Sequence, residues 1–131
     1  MATQNEQLQA MRRLAENWDG YGAAPVQSSL VDLAQEFVAL IKAMLKNSSI
    51  DPDMLHVSPT RVGGVLIEWE DRSMQHEVEI NPDQSISFLH LNQATGQIET
   101  RKFFPDGQAV VQRLRNLLAD DTVYKIGRAH V

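Results

Sequence analysis

Apolar and polar residues recur with two different periods along this chain, and the change of period divides it. In the first segment Leu8, Met11, Leu14, Ala15 and Trp18 fall at helical spacing, which predicts an amphipathic helix closed by Gly20 and Gly22. A glycine-flexed loop then runs to Pro25. A second helix is expected from the Ser28-Ser29 pair, where a hydroxyl can accept an orphan backbone N–H, to about Lys46. Its stripe of Leu30, Leu33, Phe37, Leu40, Ile41, Met44 and Leu45 is broad, so this helix should lie on the core. Asn47, Ser48 and Ser49 break it, and Asp51-Pro52-Asp53 continues the turn.

Beyond residue 55 the period becomes two. Residues 55–58 read as a short strand stopped by Pro59, and Gly63-Gly64 leads into a strand over 65–70. Residues 74–80 alternate strictly, the clearest strand signal in the chain. Asn81-Pro82-Asp83-Gln84 is turn chemistry, residues 86–91 form a further strand, and a turn at 92–96 leads to another over 98–104. Residues 106–118 return to helical spacing through Val110, Val111, Leu114, Leu117 and Leu118. The expected order is α-α-β-β-β-β-β-α. Strands joined by such short turns make an antiparallel meander of four to five strands, an α+β fold with its helices on one sheet face. No internal repeat or linker interrupts it, so residues 1–125 read as a single domain.

The turns also predict a register. A turn centred on Asp71-Arg72 sets Ile67 against His76 and Val65 against Val78. A turn centred on Asp83 sets Val78 against Phe88 and His76 against His90. One sheet face then carries Val65, Ile67, Trp69, Met74, Val78, Ile80, Ile86 and Phe88, with both histidines among them. The other carries Leu66, Glu68, Glu70, Gln75, Glu77, Glu79, Leu89 and Leu91. A slip of one residue would exchange the faces.

Composition narrows the function classes. The 131 residues are 43% apolar and 22% charged, an ordinary balance for a globular domain. The absence of cysteine excludes disulfide stapling and thiol catalysis. Seventeen acidic against twelve basic residues give a net charge of -5, which disfavours nucleic acid and anionic membranes as partners. No apolar run approaches a membrane span and no secretory leader opens the chain, so a cytoplasmic location is expected. No Walker, G-x-S-x-G or H-E-x-x-H pattern occurs, and no cofactor is implied.

Two motifs carry a resemblance. Asn17-Trp18-Asp19-Gly20-Tyr21-Gly22-Ala23, and Pro59-Thr60 followed by Gly63-Gly64-Val65-Leu66-Ile67-Glu68-Trp69, resemble a family of small bacterial proteins with NWDGYGA-x-P and PT-x-GGV-x-x-EW signatures. The likeness spans roughly residues 8–118, and the chain reads Pro82-Asp83-Gln84 where the family's turn usually has glycine. It implies an α+β domain and no activity or catalytic residue. The last six residues, Ile126-Gly127-Arg128-Ala129-His130-Val131, back-translate as ATC GGA AGA GCA CAC GTC, which resembles the start of a short-read sequencing adapter. On that reading residues 126–131 are an artefact and the natural C-terminus lies beyond Lys125.

Three constellations compete for a functional role. Trp18, Asp19 and Tyr21 on their loop are positioned for a small ligand platform. The structural reading is preferred: the Trp18 ring continues the first helix's stripe and plugs the corner between helices, with the glycines at positive φ and Asp19 bonded to the backbone. His76 and His90, opposite each other, invite a metal, but two ligands are too few and His56 has no assigned place. Glu68, Glu70, Glu77 and Glu79 share one face, the usual arrangement of a solvated sheet, and only a carboxylate pair with separated pKa values would do acid-base work. Leu66, Leu89 and Leu91 among them make the face unusual. Leucines mixed with carboxylates are more typical of an interface than of an active site.

The leading expectation is therefore a non-enzymatic interaction module. Its surface would be Leu66, Glu68, Glu77, Leu89 and Leu91, or an exposed strand edge, holding a partner protein or a second copy of itself. The alternative is a small-ligand or metal-binding protein, or a weak hydrolase, built on Trp18, Asp19 and Tyr21 or on His76 and His90.

Overall fold

The structure, a computed structural model, describes residues 3–46 and 50–104. The expected helix over 106–118 and the adapter-like tail lie outside the described residues. Helix α1 is Gln4–Met11 and α2 is Ser28–Leu45. A single 3-10 turn, Pro52–Met54, precedes strands β1 (His56–Pro59), β2 (Val65–Asp71), β3 (Met74–Ile80), β4 (Ile86–Asn92) and β5 (Ile98–Phe103). All five strands are antiparallel to their neighbours in the order β1-β2-β3-β4-β5, so the class is α+β with a meander sheet.

Helix α1 begins at a local signal. Thr3 stands three residues before Glu6, and its hydroxyl accepts the Glu6 N–H at 3.1 Å. The helix does not reach Trp18. The N–H groups of Arg12, Arg13 and Leu14 fall back to carbonyls three residues earlier, which tightens and ends it. Asn17 then takes φ +62, outside the helical range. The Arg12 guanidinium leaves the helix axis to reach the start of α2, donating to the Ser28 carbonyl at 3.1 Å, the Ser28 hydroxyl and Asp32 at 2.6 Å. The Ser28 hydroxyl therefore does not cap α2, as its position suggested; Gln27 is the N-cap and makes no side-chain bond.

The core lies between these helices and one sheet face. Leu8 and Met11 of α1, and Leu30, Val31, Ala34, Phe37, Val38, Ile41 and Leu45 of α2, pack against Val57, Val65, Ile67, Trp69, Val78, Ile80, Ile86 and Phe88. Each large side chain so buried is worth roughly 1.5–3 kcal/mol. Gln4, also buried, ties the layers together through its amide, which donates to the Leu55 carbonyl at 3.0 Å and accepts from Lys42 at 3.3 Å.

The register differs from expectation at one turn. Asp71 pairs with Met74, so the turn residues are Arg72 and Ser73, and Ile67 faces Val78 while Trp69 faces His76. Arg72 takes φ +58 there. The displacement is two residues, which leaves every side chain on its expected face. The pairs Val78–Phe88 and His76–His90 occur as expected. Gly64 is required at the start of β2, because a Cβ there would collide with the Ile80 carbonyl of β3.

Candidate functional site

The register arranges the outer sheet face into three rows running across the strands. Ser58, Leu66, Glu79, Ser87 and Lys102 form one row. His56, Glu68, Glu77, Leu89 and Thr100 form the next, and Glu70, Gln75, Leu91 and Ile98 the third. No helix among the described residues covers this face; both pack on the other side. Its centre is acidic, with Glu68 directly opposite Glu77 and Glu79 beside it, while Leu89, Leu91 and the exposed Ile98 make an apolar corner toward β5. A shallow cleft of about 300 Å³ sits on it, bordered by Glu77, Glu79, Leu89, Thr100 and Lys102.

Electrostatics mark the centre of the face. Partial burial raises the Glu77 pKa, and the charges of Glu68 and Glu79 raise it further, against an opposing hydrogen bond from Gln75 at 3.1 Å. Like charges directly opposite on paired strands destabilise a sheet. All five expected interface residues, Leu66, Glu68, Glu77, Leu89 and Leu91, lie on this one face and are half-buried.

The histidines lie on the opposite side, within the core. His76 is fully buried and His90 nearly so, with their Nδ1 atoms 2.5 Å apart. Trp69 stacks on His76 with ring centroids 5.2 Å apart, and Phe88 lies against His90 at 4.2 Å. Each Nδ1 is directed at the other, so one donates and one accepts. His56 falls on the outer face opposite Glu68 and cannot join them. Among the described residues no group of three His, Cys, Asp or Glu side chains could hold a metal ion.

The Trp18, Asp19 and Tyr21 side chains go to three different surroundings. Trp18 is half-buried beside the core rather than in it, and its indole N–H donates to the Ala24 carbonyl at 2.7 Å. Asp19 accepts the Tyr21 and Ala23 N–H groups at 2.8 and 3.0 Å and the Arg61 guanidinium at 2.8 Å. Partial burial pushes its carboxyl up, but these donors outweigh it and the net shift is downward. Tyr21 points to solvent, 82% exposed. The loop is a clasp docked on the β1–β2 turn, with Arg61 also bonded to the Tyr21 carbonyl at 2.5 Å. Arg61 is the member that sequence spacing did not indicate, because it lies 42 residues from Asp19.

Comparison with protein-family models, with curated proteins and with solved structures finds no match. No described helix is long and apolar enough to cross a membrane. What the site can do therefore rests on its geometry.

Proposed function

We propose that this protein is a non-enzymatic interaction domain whose outer sheet face holds a partner protein bearing basic side chains. The observation that carries this reading is the Glu68–Glu77 pair, set directly opposite with Glu79 alongside and leucines at its flank. A lysine or arginine from a partner would lie between carboxylates that repel each other, while Leu89 and Leu91 would supply the apolar contact. Apolar anchors beside a charged group are the usual ingredients of a specific interface. The Trp18 indole N–H, the Asp19 carboxylate and the two histidines are engaged within the fold, which weighs against the small-ligand and metal alternatives.

Affinity capture with the full chain, run beside its Leu89→Asp and Glu77→Lys variants and a Tyr21→Ala control, tests the proposal. At least one bound protein should be retained by the wild type and the control, be lost with both face variants, and bind more weakly as salt rises. Its affinity should fall ten-fold or more with either face variant, as expected on losing a central contact of about 1.4 kcal/mol. Bound proteins that are indifferent to both face variants would overturn it.

A further inference from the structure

The two edges of the sheet are built differently, and the difference identifies a second surface. Strand β1 is four residues long and ends in Pro59, which has no N–H to offer; short edges with proline resist further pairing. Strand β5 is six residues long, Ile98–Phe103, contains no proline, and is the last strand of the sheet among the described residues. Residues Ile98 to Lys102 are exposed, on both faces of the sheet. Charged side chains on an edge commonly discourage pairing. Here their signs alternate, with Glu99 before Arg101, so the effect depends on what is placed alongside.

A second copy of this chain fits in one register. Two identical antiparallel strands that extend one sheet are related by a two-fold axis perpendicular to it. That operation keeps the core sides together, so opposed residues must come from the same face. Glu99 and Arg101 share the core-side face, by their register with His90 and Phe88, and Ile98, Thr100 and Lys102 share the outer face. An axis through Arg101 would oppose two arginines, and one through Glu99 two glutamates. An axis through Thr100 sets Glu99 of each copy against Arg101 of the other, Thr100 against Thr100, and Ile98 against the aliphatic stem of Lys102. Opposite charges and paired threonines are the favourable cross-strand combinations. Glu99 also takes part in an interaction within its own chain, and a carboxylate with two oxygens can accept from both sources.

We infer that β5 is a self-association edge, across which two copies join into a ten-stranded antiparallel sheet with the two-fold axis at Thr100. This names the self-partner of the strand edge and does not depend on the outer-face reading, because β5–β5 pairing leaves the Glu68–Glu77 centre of both copies uncovered.

The test is sedimentation or light scattering of the full chain over a concentration series up to about 0.5 mM, a range that reaches weak, small interfaces. The wild type should approach twice the 14.7 kDa of one chain. Glu99→Arg alone and Arg101→Glu alone each turn both attractive pairs repulsive, and each should weaken the dimer about ten-fold or more. The double variant should restore it, and mixing the two single variants should give a heterodimer. The circular-dichroism spectrum should be the same in all four proteins, since the changed side chains are exposed. A wild type that stays monomeric throughout the series would overturn the inference. So would a dimer indifferent to both single variants, or one that the double variant and the mixture fail to restore. Loss of partner capture with Leu89→Asp but not with these β5 variants would leave the outer-face reading standing on its own.

Discussion

Strands β2, β3 and β4 carry two pairs of like residues, one on each side of the sheet, and the sides accommodate them in opposite ways. On the core side His76 faces His90, and the two rings share a hydrogen bond under Trp69 and Phe88. On the outer side Glu68 faces Glu77, whose carboxylate accepts from Gln75 of its own strand rather than from Glu68. A neutral imidazole is donor and acceptor at once, so the Nδ1 of one ring can donate to the Nδ1 of the other and the two can be buried side by side. Two ionised carboxylates only accept, so the pair is tolerated where water reaches it, and burial with neighbouring charge still drives the Glu77 pKa up. The inner pair is thus part of what holds the fold. The outer pair is a standing repulsion that a cation would relieve.

Adjacent residues on β4 give the sharpest way to break this comparison. Phe88 is 2% exposed in the core, whereas Leu89 faces outward. Phe88→Asp places a charge in the apolar layer and should abolish the cooperative urea transition, a loss of about 5 kcal/mol or more. Leu89→Asp should shift stability by no more than about 1 kcal/mol. Equal unfolding of both variants would mean that the outer face is packed, and the contrast between the sides would fail.

The histidine pair comes next in size. His76→Ala leaves a cavity and removes the partner of the His90 Nδ1, and should cost about 2–4 kcal/mol in denaturant unfolding. In the wild type, nitrogen-15 NMR should find one of the two rings carrying its proton on Nδ1 and the other with Nδ1 bare. Two bare Nδ1 atoms would leave the 2.5 Å contact without a hydrogen.

The smallest effect has the opposite sign. Glu77→Gln should stabilise the protein by roughly 0.5 kcal/mol at neutral pH by removing a cross-strand repulsion. Because the folded-state pKa of Glu77 is raised, the folded protein binds that proton more tightly than the unfolded chain. Stability therefore falls as pH rises from the ordinary glutamate value of 4.5 through the raised one. The gain from Glu77→Gln should be complete above that window and vanish below 4.5. Chemical unfolding at pH 4 and pH 7 separates the two cases, and a gain that is equal at both would remove charge repulsion as its cause.

The sheet was readable from local pattern to an unusual depth. Strict alternation in residues 74–80, with turn residues on both sides, was enough to place Val78 opposite Phe88 and His76 opposite His90. The β2–β3 turn was misplaced because Asp71, Arg72 and Ser73 all suit a turn, and nothing local indicates which of them closes it. Arg72 closes it in the left-handed conformation, which residues other than glycine seldom adopt, so its identity did not point to that place. The first helix was overextended for a related reason. Leu14 and Trp18 continue its spacing, but Leu14 packs beyond the helix end and Trp18 turns aside to bond the Ala24 carbonyl.

The amino-acid sequence by itself determined the two described helices and five strands, the meander, the two sheet faces and the gathering of leucines and glutamates on one of them. Side-chain period and turn length follow from the geometry of a few neighbouring residues, so they are written locally. Tertiary structure alone decided that the Nδ1 atoms of the two histidines meet and that His56 looks the other way. It also decided that Arg12 reaches Asp32 and that Arg61 clasps Asp19, contacts spanning 20 and 42 residues. A hydrogen bond over such separations forms only once the hydrophobic layers have set the distance between its partners, and no spacing along the chain encodes that distance.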